Sequence, residues 1–326
     1  MNKLLGYVDF FGKRFLLIIC VAAVLYSIFL IFSDLTFVYE KIIHFDLKFL
    51  PLILITIFIS WLILFVRWHI LTKRHGIHIK TKENLLVFLS GFALAISPVK
   101  SGELIKSVIL KNNFNINRSK TVPIILIERF YDILGTFAVA IIGITFLGFG
   151  LGIVLFLVLA FLIFIFSAVY SKRSFKIILL LLSRIKFLNK YFTNLEQSHE
   201  IIRKSSTPQI ICGCTSLTIL FRIVEAIGIS FVFLAIGVNL IDFFQLASIY
   251  SASIILGSIS MSPGGLGVTE GSFAGMLTLH GFDLQAALIL AIIIRFFTLW
   301  FGVIVGFISL KLLNLISGKT KIGFDD

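Results

Sequence analysis

Charged and helix-breaking residues lie inside apolar segments of this sequence, and their spacing repeats once along the chain. The two sets are Arg67, Ser97-Pro98, Gly102-Glu103 and Arg129-Phe130, then Arg222, Ser262-Pro263, Glu270 and Arg295-Phe296. The gaps from Pro to the last Arg are 31 and 32 residues, and those from Glu to that Arg are 26 and 25. Matching residue types in the same order indicate an internal repeat.

The charges in these apolar segments must be paired or hydrated. Each charge at the bilayer centre costs about 2.5–3.5 kcal/mol, so ten unpaired charges would cost on the order of 25–35 kcal/mol. That exceeds the stability of a typical fold. Residues three or four apart share a helix face, which predicts the pairs Arg129/Asp132 and Arg222/Glu225 and places Glu128 beside Asp132. The ten are Glu103, Glu128, Asp132, Glu225, Glu270, Lys100, Lys106, Arg129, Arg222 and Arg295.

Each Ser-Pro pair predicts the N-cap and first residue of a half-helix. Such a terminus presents free N–H groups and a positive dipole to an anion. Glycines at 264, 265 and 267 allow a ligand to approach the backbone closely. Irregular backbone at membrane depth is tolerated only inside protein or against a cavity. The pattern predicts electrostatic capture of an anionic headgroup, although a purely structural role of the charges stays open.

We therefore predict a substrate-binding site and no catalytic residue, cofactor or metal. Arg129, Arg295 and Lys100 hold phosphate, whereas Glu103 and Glu270 pair with the arginines in the unliganded protein and are candidates to carry a coupling proton. The predicted site comprises Arg67, Lys100, Glu103, Glu128, Arg129, Asp132, Arg222, Glu225, Pro263, Gly264, Gly265, Glu270 and Arg295. Ser97-x-x-Lys100 matches a Ser/Lys nucleophile pattern, but its companion motifs are missing.

The elements that carry these residues must be transmembrane helices. Apolar residues make up 59% of the 326 positions and charged residues 14%, against about 45–50% and 25% in soluble domains. A crossing needs roughly 20 apolar residues, and the predicted spans are 15–33, 49–66, 122–149, 150–170, 209–236 and 285–310. This leaves no room for a sizeable soluble domain, so we expect an all-α integral membrane protein forming one transmembrane domain over 1–326.

The distribution of Lys and Arg predicts the topology. Segments 1–14, 67–82, 111–120, 171–208 and 311–321 hold 3, 5, 3, 8 and 3 basic residues, which places them in the cytoplasm. Stretches 84–110 and 243–280 then enter and leave from one side, as re-entrant hairpins broken at the Ser-Pro pairs. We expect six crossings, two hairpins and cytoplasmic termini in the cell membrane. The formal charge of +13 is attributed to these loops and not to nucleic-acid binding.

The two repeats, at about 49–149 and 209–310, are predicted to be inverted, because one hairpin enters from each side. Inverted repeats with broken helices are typical of secondary transporters. The segment between them, 171–208, mixes apolar and basic residues. It predicts a cationic amphipathic helix on the inner leaflet, with a plain linker as the alternative.

The sequence resembles the lysylphosphatidylglycerol synthase transmembrane region, also called the flippase-like domain family. The resemblance covers roughly 10–312 and rests on Arg67-Trp68, Ser97-Pro98-Val99-Lys100-Ser101-Gly102-Glu103, Glu128-Arg129-Phe130-Tyr131-Asp132, Pro263-Gly264-Gly265-Leu266-Gly267-Val268-Thr269-Glu270 and Arg295. It implies translocation or handling of lipids. Two-domain members add a soluble aminoacyl-transferase domain, whereas free-standing members are associated with polyprenyl- or dolichyl-linked sugars. Since the chain stops at Asp326, we expect no lysyl transfer from it.

The function predicted from residues and resemblance together is that of a lipid flippase. It binds a lipid with an anionic headgroup in a charged cavity and moves that headgroup between leaflets. Two alternatives stay open: a membrane partner that presents lipid to a separate glycosyl- or aminoacyl-transferase, and a small-solute or ion transporter. An enzyme in its own right would require a nucleophile–base pair that the sequence does not supply.

Overall fold

The computed structural model describes residues 43–97, 102–142, 192–238 and 241–317, with short isolated pieces between 152 and 171. Within this part of the chain every regular element is a helix. The predicted span 15–33, most of the predicted span 150–170 and most of the segment 171–191 lie outside the described residues. So does Lys100.

Ten α-helices form the described part of the bundle. They are α1 (Leu50–Arg74), α2 (Thr81–Ser90), α3 (Ile105–Phe114), α4 (Arg118–Ile142), α5 (Phe192–Ser205), α6 (Pro208–Ile236), α7 (Phe243–Ile259), α8 (Val268–Leu279), α9 (Leu284–Arg295) and α10 (Phe301–Ser317). Short 3-10 turns are present at Leu47–Phe49, Gly91–Leu94 and Pro263–Gly265, and a π-helical segment, Phe296–Trp300, joins α9 to α10.

Three stretches are long and apolar enough to cross a bilayer. Leu47–Arg74, Pro208–Ile236 and Leu284–Ile316 contain 28, 29 and 33 residues, more than the roughly 20 that a crossing needs. They contain the predicted spans 49–66, 209–236 and 285–310, and the first stretch continues eight residues beyond its predicted end. The helical and membrane character of the protein is therefore confirmed.

Local sequence signals set several of the helix ends. Asp242 and Asp283 accept hydrogen bonds from backbone N–H groups in the first turns of α7 and α9, which satisfies donors that have no partner inside the helix. Pro208 begins α6, where its missing N–H costs nothing. Gly237 ends α6 with a φ of 70°, a conformation in which a Cβ would be strained.

One predicted boundary is wrong in a way that matters for the site. The span predicted to end at residue 66 continues as helix to Arg74, so Arg67 belongs to α1 and not to a cytoplasmic loop. Arg67 is fully buried. A charge at the end of an apolar run indicates a loop only when no partner inside the protein neutralises it. Here Asp132 neutralises the charge of Arg67.

The start of the second half-helix was also misplaced. Ser262 caps only the 3-10 turn Pro263–Gly265, and α8 begins at Val268. Gly264, Gly265 and Gly267 have φ values of 63°, 72° and 82°, which cannot continue a right-handed helix. On the other side, Pro98 lies outside the described residues, and α3 begins at Ile105. The second break is therefore longer than its Ser-Pro pair alone suggests.

Helices from the first part of the chain pack on helices from the second part. Helix α1 packs along α6, α2 and its following turn pack on α10, and α7 packs on α4. Helix α8 lies against α7 and α9. Exposed apolar side chains on α1, such as Ile55, Ile59 and Val66, lie opposite its buried face. A helix that is apolar on both faces is expected in lipid.

We expect Gly306→Ala to disrupt the contact between α10 and the turn after α2. A Cβ at position 306 would overlap the backbone of Ala93, and backbone cannot move aside as a flexible side chain can. Overpacking of this kind costs about 1–3 kcal/mol, so the thermal unfolding midpoint in detergent should fall by several degrees. Gly275→Ala, in α8 with open space around the new methyl, should leave the midpoint unchanged or slightly raised. Equal midpoints for the two variants would contradict this packing.

Candidate functional site

Six charged side chains form a closed ring in which cations and anions alternate. Helix α1 contributes one cation, α3 and the turn before it contribute a cation and an anion, and α4 contributes a cation and two anions. In order around this ion-pair ring, the members are Arg67, Glu128, Lys106, Glu103, Arg129 and Asp132. Its formal charge is zero, so the whole cluster is tolerated at membrane depth.

The deep half of the ring is sealed from solvent. Lys106 Nζ lies 2.6 Å from Glu128 Oε2 and 3.4 Å from Glu103 Oε2. The Glu128 side chain is 0% exposed. The ammonium of Lys106 also lies 4.4 Å from the ring centroid of Trp68, which adds a cation–π contact in a desolvated place. The ion pairs in this half of the ring are therefore shielded from solvent and held together.

The other half of the ring is accessible. Arg129 contacts Glu103, and its Nη1 lies 2.9 Å from Asp132 Oδ2. The side chains of Arg129 and Asp132 are 25% and 17% exposed. Asp132 is held from behind by Arg67 Nη1 at 2.6 Å. Arg129 is therefore the most exposed cation of the ring.

A second buried pair lies between α6 and α4. Arg222 Nη1 donates to Glu225 Oε2 at 2.6 Å, and Arg222 Nε donates to Thr136 Oγ1 at 3.0 Å. Arg67 Nη1 similarly donates to Thr218 Oγ1 of α6 at 2.6 Å. Both arginines thus tie neighbouring helices together through a threonine hydroxyl.

A third cluster surrounds the second break. Arg295 Nε donates to Glu270 Oε1 at 2.9 Å, and its Nη2 donates to the carbonyl oxygen of Gly264. Glu270 Oε2 in turn accepts from the N–H of Gly267 at 2.7 Å. The N-terminus predicted to be open to an anion is therefore engaged by a carboxylate of its own helix. The π-helical segment begins directly after Arg295, a feature frequent at functional sites.

The two broken segments meet. A Cβ at Gly264 would lie 3.2 Å from Ile96 Cα, so the backbones approach closely there. Around this contact Ile96, Leu266 and Leu299 form a small apolar cluster. On the first side the N–H of Gly102 donates to Ser97 Oγ at 2.5 Å, which closes the loop across the break.

Helix α5 is fastened beside the ring. Tyr131, next in sequence to the ring residues of α4, donates its hydroxyl to the carbonyl of Ser205. Arg74 Nε donates to the carbonyl of Lys204 at 3.2 Å, and His75 Nε2 lies 2.7 Å from Ser205 Oγ. Burial, with the charges of Arg74 and Lys204, lowers the pKa of His75, so its imidazole stays neutral at pH 7. The described part of segment 171–208 is thus a helix that packs on protein.

The structure brings most of the predicted site residues into these three clusters. The predicted pairing of Glu103 with Arg129, of Glu270 with Arg295, and of both i,i+3 pairs is confirmed. Pro263 and Gly265 form the 3-10 turn beside the third cluster. Lys106 was missed as a site residue although it closes the ring. Its spacing of three from Glu103 is the signal that could have found it.

These features define a polytopic helical membrane protein with neutralised charge clusters at its core. The chain belongs to the family described as the lysylphosphatidylglycerol synthase transmembrane region, whose sequence profile matches residues 16–306. It is also similar to a UPF0104 membrane protein of Methanocaldococcus jannaschii, with 26% identity over 216 residues, which cover 63% of this chain and 86% of the relative. No solved structure matches.

Proposed function

We propose that the protein binds the anionic headgroup of a membrane lipid at the ion-pair ring and moves it between leaflets. The observation that carries the proposal is the graded accessibility of the ring. Lys106 and Glu128 are sealed, whereas Arg129 is 25% exposed. Within the described residues, the buried Nε–H of Arg129 has no acceptor. A phosphate oxygen supplies such an acceptor and matches the planar guanidinium.

Exchange of partners makes binding of an anion feasible in a neutral ring. A phosphate that approaches Arg129 competes with Glu103, which already contacts it. Glu103 then keeps a second cation, because Lys106 Nζ lies 3.4 Å away. The carboxylate released from Arg129 is therefore not left unpaired in a medium of low dielectric, which would be costly. The bound phosphate adds one negative charge to the neutral ring, and uptake of a proton by Glu103 restores its neutrality.

We also propose that the two halves, about 49–149 and 209–310, are inverted repeats with re-entrant hairpins. Corresponding residues are paired in each half: Glu103 with Arg129, and Glu270 with Arg295. Each half also packs one of its helices on the other half. Helix α2 of the first half packs on α10 of the second, and α7 of the second packs on α4 of the first. This supports a pseudo-two-fold arrangement about the α1–α6 contact, the pattern of many secondary transporters.

The test is leaflet exchange in proteoliposomes that contain labelled phosphatidylglycerol, a polyprenyl phosphate or a zwitterionic phospholipid. We expect one anionic lipid to exchange. Arg129→Ala/Arg295→Ala should slow that exchange about tenfold or more, because a hydrogen bond to a charged group contributes about 1.5–3 kcal/mol. Arg203→Ala, which removes a charge from α5 outside the clusters, is the control. Only monodisperse, folded protein is compared.

The other outcomes separate the alternatives. Headgroup binding without exchange would favour a protein that presents lipid to a separate transferase. Neither binding nor exchange in folded protein would end the lipid proposal and favour a small-solute transporter. Equal exchange of all three lipids, unchanged in the double variant, would place translocation elsewhere than at these arginines.

A further inference from the structure

A second place for an anion lies outside the clusters described above. A pocket of about 350 Å³ is formed by the loop between α1 and α2 and the loop between α3 and α4. It begins two residues beyond Arg74, the last residue of a stretch long enough to cross a bilayer. It therefore lies at one end of the bundle, where lipid headgroups are found. The lining residues are Gly76, Ile77, His78, Ile79, Phe114, Asn115, Ile116, Asn117 and Lys120.

The lining has two kinds of surface. Ile77 is buried and Ile79, Phe114 and Ile116 are half-buried, so they make an apolar floor. His78, Asn115, Asn117 and Lys120 are exposed and form a polar rim. A floor of this kind suits the glycerol and first methylene groups of a lipid, and the rim suits a phosphate ester.

Within the described residues, no carboxylate forms an ion pair with the basic side chain of the pocket lining. The nine lining residues include Lys120 and His78 and no Asp or Glu. Among the described residues, neither Lys120 nor His78 forms an ion pair with a carboxylate, whereas every member of the ion-pair ring does. A basic pocket between transmembrane helices is a known way to bind an anionic headgroup.

We infer that this pocket binds a phosphate ester at the membrane surface, with Lys120 as its main charged contact and the amides of Asn115 and Asn117 as further donors. Its volume is at the lower end of ligand pockets, so it holds a headgroup and not a whole lipid. The phosphate comes either from an anionic phospholipid or from a soluble phosphate compound. This site is separate from the ring and does not depend on translocation.

The experiment titrates full-length protein in neutral detergent with short-chain phosphatidylglycerol, short-chain phosphatidylcholine or inorganic phosphate, and follows the thermal unfolding midpoint. We expect phosphatidylglycerol to raise the midpoint. Lys120→Gln should weaken its apparent affinity about fivefold, the effect of one lysine near an anionic surface. Lys82→Gln, an exposed lysine outside the pocket lining, should bind as the wild type does.

Each outcome decides the inference. A shift with phosphatidylglycerol alone identifies a lipid headgroup, and a shift with inorganic phosphate as well identifies a general phosphate site. The inference would be overturned if neither phosphatidylglycerol nor inorganic phosphate shifted the thermal midpoint. It would also be overturned if Lys120→Gln and Lys82→Gln weakened the apparent affinity equally. The variant Arg129→Ala/Arg295→Ala should keep the shift, so failure of the pocket and failure of lipid exchange are distinguished.

Discussion

Replacing Glu128 by Ala is expected to be the most destabilising single change in the ring. Glu128 is fully buried and lies between Lys106 at 2.6 Å and Arg67 at 3.5 Å. Its removal leaves the ring with three cations and two anions, and the unbalanced charge lies in the half that is sealed from solvent. Breaking a buried ion pair costs about 3–5 kcal/mol, which corresponds to a fall in the thermal midpoint on the order of 10 °C for a chain of this size.

Two controls show whether the cost comes from buried charge. Glu200→Ala removes a carboxylate paired with Lys204 at 2.7 Å, but both side chains are 63% exposed, so the midpoint should not change measurably. Lys106→Met/Glu128→Gln leaves a neutral ring of two cations and two anions. We expect it to cost less than the sum of its two single changes, since residues in one network are coupled by about 0.5–3 kcal/mol. Additive costs would mean that charge balance does not stabilise the ring.

The apolar pattern predicted the long helices well, because a helix that crosses lipid requires a long run of apolar residues. The span predicted at 209–236 was bounded almost correctly, since α6 begins at Pro208 and ends at Ile236. The pattern failed at Arg67, because hydropathy registers the charge and not the buried Asp132 that neutralises it. Spans 15–33, 122–149 and 150–170, the two re-entrant hairpins and the orientation of the chain stay predictions.

The sequence predicted the residue types and the pairs of the site, but it did not predict that the ion pairs join into a closed ring. Spacing of three along a helix identified Arg129 with Asp132, and similar gaps of 26 and 25 residues in the two repeats pointed to Glu103 with Arg129. Spacing along one helix cannot show that a third helix completes a network. The contact of Arg67 with Asp132 depends on how α1 packs against α4, and this packing is set by the whole core.

Arg295→Met is the second change for which we expect a large effect, and part of this effect is confined to the break at residues 262–267. The arginine bridges two groups at once: its Nε donates to Glu270 and its Nη2 donates to the carbonyl of Gly264. Loss of both bonds leaves the buried carboxylate of Glu270 without this cation, and the expected cost is about 3–5 kcal/mol. The break at residues 262–267 should then exchange its amide hydrogens faster, because the carbonyl contact no longer holds it.

Arg295→Lys separates the charge of the guanidinium from its shape. An ammonium keeps the positive charge beside Glu270 but does not reach two acceptors in the fixed geometry of a guanidinium. We therefore expect the thermal midpoint of the Lys variant to lie between those of wild type and Arg295→Met, with hydrogen exchange at 262–267 raised in both variants. If exchange there stays as slow in Arg295→Met as in the wild type, the conformation of the second break is fixed by its own glycines. In that case Arg295 does not position the break, and its pairing with Glu270 contributes only charge balance.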